Sequence, residues 1–198
     1  MRKKRDDKRK RTVQIVLGIF IVFIMVMSVL ELTLYRTDSG GSLSYGKYRF
    51  DIDPVTRMYM LKINDQVYTF RYFPSEVLFV NMSPEIPARL QSAQFIVFTF
   101  DPNVSDIQFA EQVRYELSQA IATKTLLAVT ENTSGYESLP VVTCADADTT
   151  IPVVYFVTSS NSSLELEGDC IVARAEGQQY FMVRDLLLYS YLGVVGGQ

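Results

Sequence analysis

Two carboxylates carry the most chemical promise in this sequence. Asp146 and Asp148 stand in the run Cys144-Ala-Asp146-Ala-Asp148, after the apolar stretch Leu139-Pro-Val-Val-Thr143. Carboxylates spaced i, i+2 at the end of a strand offer hard oxygen ligands, which suit a divalent cation. A small metal-dependent transferase or hydrolase using that pair is one reading of the chain. Against it, no glycine-rich loop that would cradle a phosphate precedes the pair, and acidic residues between strands are usually just hydrated. Asp51 with Asp53 and Glu165 with Glu167 repeat the i, i+2 spacing. Both alternate with apolar residues, as the solvent side of a half-buried strand does.

The sequence contains no histidine. That excludes Ser-His-Asp and Cys-His catalysis, histidine-ligated zinc or haem, and a histidine pH switch. Its two cysteines, Cys144 and Cys170, are too distant for a Cys-x-x-Cys redox motif and too few for a structural zinc site. They read either as one disulfide, as an exported domain favours, or as two buried thiols packing as small hydrophobes.

Asparagine usage adds a second hint of export. Four of the five asparagines begin Asn-x-Ser: Asn81-Met-Ser83, Asn103-Val-Ser105, Asn132-Thr-Ser134 and Asn161-Ser-Ser163. Ser and Thr make up 30 of 198 residues, so five asparagines placed at random would give fewer than one match. The four read as N-glycan acceptors on surface loops.

The element that sets the compartment lies at the N-terminus. Residues 2–11 hold eight basic and two acidic side chains, and Val13 to Leu30 follows without a charge. Eighteen residues at about 1.5 Å each span roughly 27 Å, close to a ~30 Å hydrocarbon core. The apolar run is longer than a signal peptide's and contains no alanine, so it reads as an uncleaved anchor. Basic residues stay on the cytoplasmic side. The expected organisation is a cytoplasmic tail over 1–12, a transmembrane signal-anchor helix over 13–35, a Gly/Ser linker over 36–44 and an extracytoplasmic domain over 45–198. Residues 31–198 carry 11 basic and 20 acidic side chains, a net of −9, so the domain is a poor nucleic-acid binder.

Alternation predicts an antiparallel meander over 45–80, with Tyr48, Phe50 and Ile52 on one face and a turn at Asn64-Asp65. A short strand is expected over Val77–Val80. Ser83 with Pro84 signals a short helix to about Ser92. Phe95 to Phe100 reads as a central strand buried on both faces. Ser105 with Gln108 resembles a capping box for a helix carrying Ile107, Ala110, Val113, Leu117 and Ile121, and Thr125–Thr130 follows as a strand. That stretch makes one βαβ-like crossover. Strands are expected at Pro140–Thr143, Ile151–Thr158 and Cys170–Ala175, and then a helix from about Tyr180 to Leu192, closed by Gly193. The fold class is α+β: an N-terminal transmembrane helix followed by one mixed-sheet domain. The expected function is a membrane-anchored extracytoplasmic binding or assembly module for a protein partner, without catalytic activity and with no cofactor. The metal-dependent enzyme is the alternative, with a divalent cation.

Overall fold

The computed structural model describes residues 17–28 and 41–196. The chain divides into two compact units, Met1–Gly41 and Ser42–Gln198. In the first, residues 17–28 form helix α1, and all twelve are exposed. Its large apolar side chains range from Ile24 at 47% to Met25 at 67%. Twelve residues make about 18 Å of helix. Among the described residues no helix is long and apolar enough to cross a membrane. The rest of the expected 13–35 anchor, the basic tail 1–12 and linker residues 36–40 lie outside the described residues.

The second unit opens with the meander: β1 (Ser42–Tyr45), β2 (Tyr48–Ile52), β3 (Tyr59–Ile63) and β4 (Gln66–Phe70), antiparallel in the order β1-β2-β3-β4. β1 takes Ser42–Ser44 from the expected linker, because these residues pair with Arg49–Asp51. Asn64 and Asp65 both adopt positive φ, at 48° and 64°, the twist that a two-residue hairpin needs. Phe50, Leu61, Tyr68 and Phe70 fill the buried face, while Arg49, Asp51, Lys62 and Thr69 face solvent.

Local signals compete in the next stretch. The strand expected over Val77–Val80 is displaced by helix α2 (Pro74–Val77), started by Pro74 and by Glu76, whose carboxylate accepts the Phe73 N–H. β5 (Asn81–Met82) follows, then α3 (Ile86–Ser92). Ser83 does not cap α3. Its hydroxyl accepts the Leu166 N–H at 3.0 Å instead, a tertiary bond that outranks the local one.

The second sheet adds β6 (Phe95–Phe100), β7 (Lys124–Leu127), β8 (Val153–Thr158), β9 (Ser163–Glu167) and β10 (Cys170–Ala175), in the order β5-β9-β10-β8-β6-β7. β7, β6, β8 and β10 run parallel, and β9 turns back antiparallel to β10. Helix α4 (Ile107–Ala120) joins β6 to β7, the expected crossover. It starts at Asp106 without a side-chain cap, so Ser105 and Gln108 form no capping box. The Asp106 carboxylate accepts the Gly177 N–H at 3.0 Å.

Helix α5 (Gln179–Tyr191) packs against α2, α3, α4 and β10, and stacks Tyr189 on Phe70 of the meander with ring centroids 4.0 Å apart. Val183 to Ser190 are all buried, because this helix lies inside the main core with partners on every side. That is why apolar residues surround it. Gly193, at φ +69°, closes the helix: its N–H reaches the Ser190 carbonyl and the Val194 N–H reaches that of Tyr189. This is the paired pattern in which glycine relieves the left-handed strain.

The other face of the six-stranded sheet carries a smaller core of Val97, Ala128, Val153, Cys170 and Val172. Val142, Cys144 and Ala147 cover it from the long connection between β7 and β8. The expected strand at Pro140–Thr143 is reduced to one parallel bridge, Val129–Val141, at the edge of the sheet, because from Val142 onward the segment packs on the sheet face. The Thr99 hydroxyl fastens it by donating to the Val142 carbonyl at 2.8 Å.

Candidate functional site

The connection over 128–152 holds the expected chemistry. Cys144 and Cys170 form a disulfide with Cα atoms 5.2 Å apart, which pins the segment to the first residue of β10. The bond resolves the two readings of the cysteines in favour of the bridge. Around it, Asp146 accepts hydrogen bonds from the Thr143 N–H at 2.8 Å and its hydroxyl at 3.0 Å. Asp148 accepts from the Thr150 N–H at 2.7 Å, the Thr150 hydroxyl at 2.8 Å and the Ile151 N–H at 2.9 Å. Backbone donors favour the ionised form, and both carboxyls lie below the usual carboxylate value. Each acid therefore turns back on its own loop and shapes a local turn. Among the described residues, no three His, Cys, Asp or Glu side chains gather in a cluster that could hold a metal ion. Asp51 is exposed on β2, and Asp53 accepts the Val55 and Thr56 N–H groups, each at 2.8 Å. Glu165 and Glu167 clasp Arg174 at 2.8 and 2.7 Å across the β9–β10 pair.

A second group of ionisable residues sits between β4, α4 and α5. Arg184 and Asp185 are 5% and 0% exposed in the middle of α5. Asp185 accepts the Arg71 and Tyr72 N–H groups at 2.7 and 2.9 Å, and Arg184 donates to it at 2.7 Å. Arg184 also donates to the Thr69 carbonyl at 2.7 Å and places its Nε 3.3 Å from Glu116. Glu116 in turn receives both arms of Arg71 at 3.0 Å, and the Arg71 guanidinium lies 3.8 Å from the Phe181 ring centre. Burial pushes the Asp185 carboxyl up, with Arg184 and the two backbone donors pulling against it. Burial also pushes on Glu116, but Arg71, Gln112 and Arg184 overcome it and hold that carboxyl low.

This network forms the wall of an open groove of about 360 Å³, between Val67, Tyr68 and Thr69 on β4 and Tyr115, Glu116 and Gln119 on α4. Val67 and Tyr115 stand on it at 55% and 59% exposure. A concavity with apolar walls and converging polar groups is the default place for a ligand. Its charges are already paired with one another, so the groove offers shape, an aromatic ring and a rim of hydrogen-bonding groups. A second concavity of about 410 Å³ lies by Leu78, Phe79 and Val80, where Phe79 is 73% exposed.

No known family, curated protein or solved structure matches this chain.

The groove residues were not singled out by sequence. A signal existed: Arg184-Asp185 is a charged pair in the middle of the otherwise apolar Tyr180–Leu192 run, and charges buried in a core helix demand partners. The four asparagines fall elsewhere, and all are exposed: Asn81 opens β5, Asn103 follows β6, Asn132 follows β7 and Asn161 follows β8.

Proposed function

We propose that this chain is a membrane-anchored extracytoplasmic module that binds or assembles with a protein partner and performs no catalysis. Helix α1 carries the reading. Its twelve residues are uncharged, apolar on every side apart from Ser28 at the end, and all exposed, and a helix hydrophobic all round needs either a surrounding core or lipid. The charge-free run Val13–Leu30 extends it in both directions in the sequence, and eight basic residues precede it. Those features support a span with its N-terminus inside. The Cys144–Cys170 bond supports an oxidising compartment for the domain.

Binding is favoured over chemistry by how the ionisable groups are used. Asp146 and Asp148 are engaged in turns, and Glu116, Asp185, Arg71 and Arg184 in one another. The β4–α4 groove, with Val67 and Tyr115 on its lips, is the surface offered to the partner, since aromatic residues and arginine enrich interface centres. Protease added to sealed right-side-out cells should remove a C-terminal tag and spare an N-terminal one. A photo-crosslinker at Tyr115 should then capture a defined partner that one at Val55 does not. A protected C-terminal tag, or equal capture at both positions, refutes the reading.

A further inference from the structure

The four Asn-x-Ser triplets lie far apart in sequence, yet strand register brings them to one edge of the six-stranded sheet. Phe100 ends β6 and Thr158 ends β8, so Asn103 and Asn161 each stand three residues past a carboxyl end. Beside β6, the Thr130 N–H donates to the Phe100 carbonyl, which puts Asn132 just beyond the same edge. The Asn103 amide meets the Glu131 carboxylate, so these two loops touch. On the other side Ser163 pairs with Arg174, next to the end of β10. Asn81 pairs with Ser163, at the same edge again. From β5 to β7 there are five inter-strand steps, about 24 Å at ~4.8 Å each. The four asparagines form two groups along that rim, Asn81 with Asn161 and Asn103 with Asn132.

The fifth asparagine has a conformational task. Asn64 occupies the left-handed turn between β3 and β4, where asparagine is tolerated. None of the other four has positive φ. The opposite edge of the sheet carries the disulfide, Asp146, Asp148 and the close of α5, with no Asn-x-Ser/Thr triplet.

We propose that the carboxyl rim of the six-stranded sheet is a glycan-bearing face, with oligosaccharide on asparagines from both groups. This rests on the extracytoplasmic placement argued above. The donor is an oligosaccharide carried on a lipid pyrophosphate. The asparagine Nδ2 forms a bond to sugar C1, the bond from C1 to the pyrophosphate oxygen breaks, and the lipid pyrophosphate leaves with that electron pair. The amide nitrogen gives up one proton, and no oxidant or reductant is needed. Each triplet supplies the acceptor amide and the hydroxyl two residues on. With sugar along it, the rim becomes a hydrated wall that no protein partner docks on, which leaves the β4–α4 groove open.

The test uses the full chain, produced in cells that attach oligosaccharide to asparagine in their export pathway, with the protease assay run in parallel. Intact mass before and after amidase release of N-glycans, with peptide mapping, reads occupancy at each asparagine. Asn→Gln at each position should remove one step of the mass ladder. Asp148→Asn creates an Asn-Thr-Thr triplet on the opposite edge and reports whether the transferase reaches the domain. Occupied sites in both groups are the expected result. A protease-accessible domain with bare asparagines, while the Asp148→Asn chain gains a glycan, overturns the rim and spares the topology. Occupancy confined to one group also overturns it. A protected domain with bare asparagines overturns both.

Discussion

Removing the Cys144–Cys170 bond tests how the second face of the sheet is covered. The bond closes a loop of 26 residues. Chain-entropy reasoning gives about 12 cal/mol/K for that length, or about 3.5 kcal/mol at 25 °C, lost from the unfolded chain's restraint. Over the Ser42–Gln198 unit, an unfolding entropy of ~2.1 cal/mol/K per residue gives about 0.33 kcal/mol per kelvin. The melting temperature should therefore fall by about 11 °C. Alanine suits the substitution at both positions, because Cys170 is fully buried and a serine hydroxyl there would add its own cost. Cys144→Ala with Cys170→Ala should melt like the reduced wild-type domain, and each should expose the 142–147 segment to limited proteolysis before the sheet unfolds. A shift below about 3 °C, or a double variant that still protects the segment, would show that Val142, Ala147 and the Thr99 hydrogen bond hold the cover unaided.

Three further results are expected. Asp185→Ala strips the partner from buried Arg184 and two backbone N–H groups, so it should cost about 3–5 kcal/mol by denaturant titration; a cost below 1 kcal/mol would mean the network is dispensable. Glu116 has a lowered folded-state carboxyl, so its contribution is present above the unfolded value of about 4.3 and is lost as pH falls through the folded value. The stability gap between wild type and Glu116→Gln should shrink only in that acid window, and a gap independent of pH would contradict the ion pairing with Arg71. Millimolar Ca²⁺, Mg²⁺ or Mn²⁺ should not move the melting curve beyond salt of equal ionic strength; a shift toward about 2.7 kcal/mol at a hundredfold excess over Kd, lost in Asp146→Asn with Asp148→Asn, would establish the cation site instead.

Elements with strong, self-contained patterns were legible. β10 spans Cys170–Ala175 as read, the Phe95–Phe100 run is a strand buried inside a sheet, and the meander follows its alternation. Misreadings arose where a distant partner claimed a local signal. The Ser83 hydroxyl accepts from the Leu166 N–H, and Pro140–Thr143 keeps only one bridge at the sheet edge because Val142 packs on the sheet face. Sheet order was not legible, since neither periodicity nor turn chemistry tells β8 to pair beside β6. The groove was missed for the same reason: Arg71, Glu116 and Asp185 meet only after β4, α4 and α5 are assembled.

The place of α5 bears on when this domain acquires its structure. It is the last element of the described chain, and it fills the space between the meander and the helical side of the second sheet. Before residues 179–191 arrive, Phe50 and Phe70 lack Tyr189, and the faces later joined by Val183–Leu188 stay open. A chain made from its N-terminus onward would therefore reach Gln179 with its strands formed at most locally, because the long-range contacts that reward them are still missing. Folding of the domain then waits on α5. A nascent chain stalled before Gln179 should remain open to protease along its length, and the same chain released past Gly193 should become resistant in a single step.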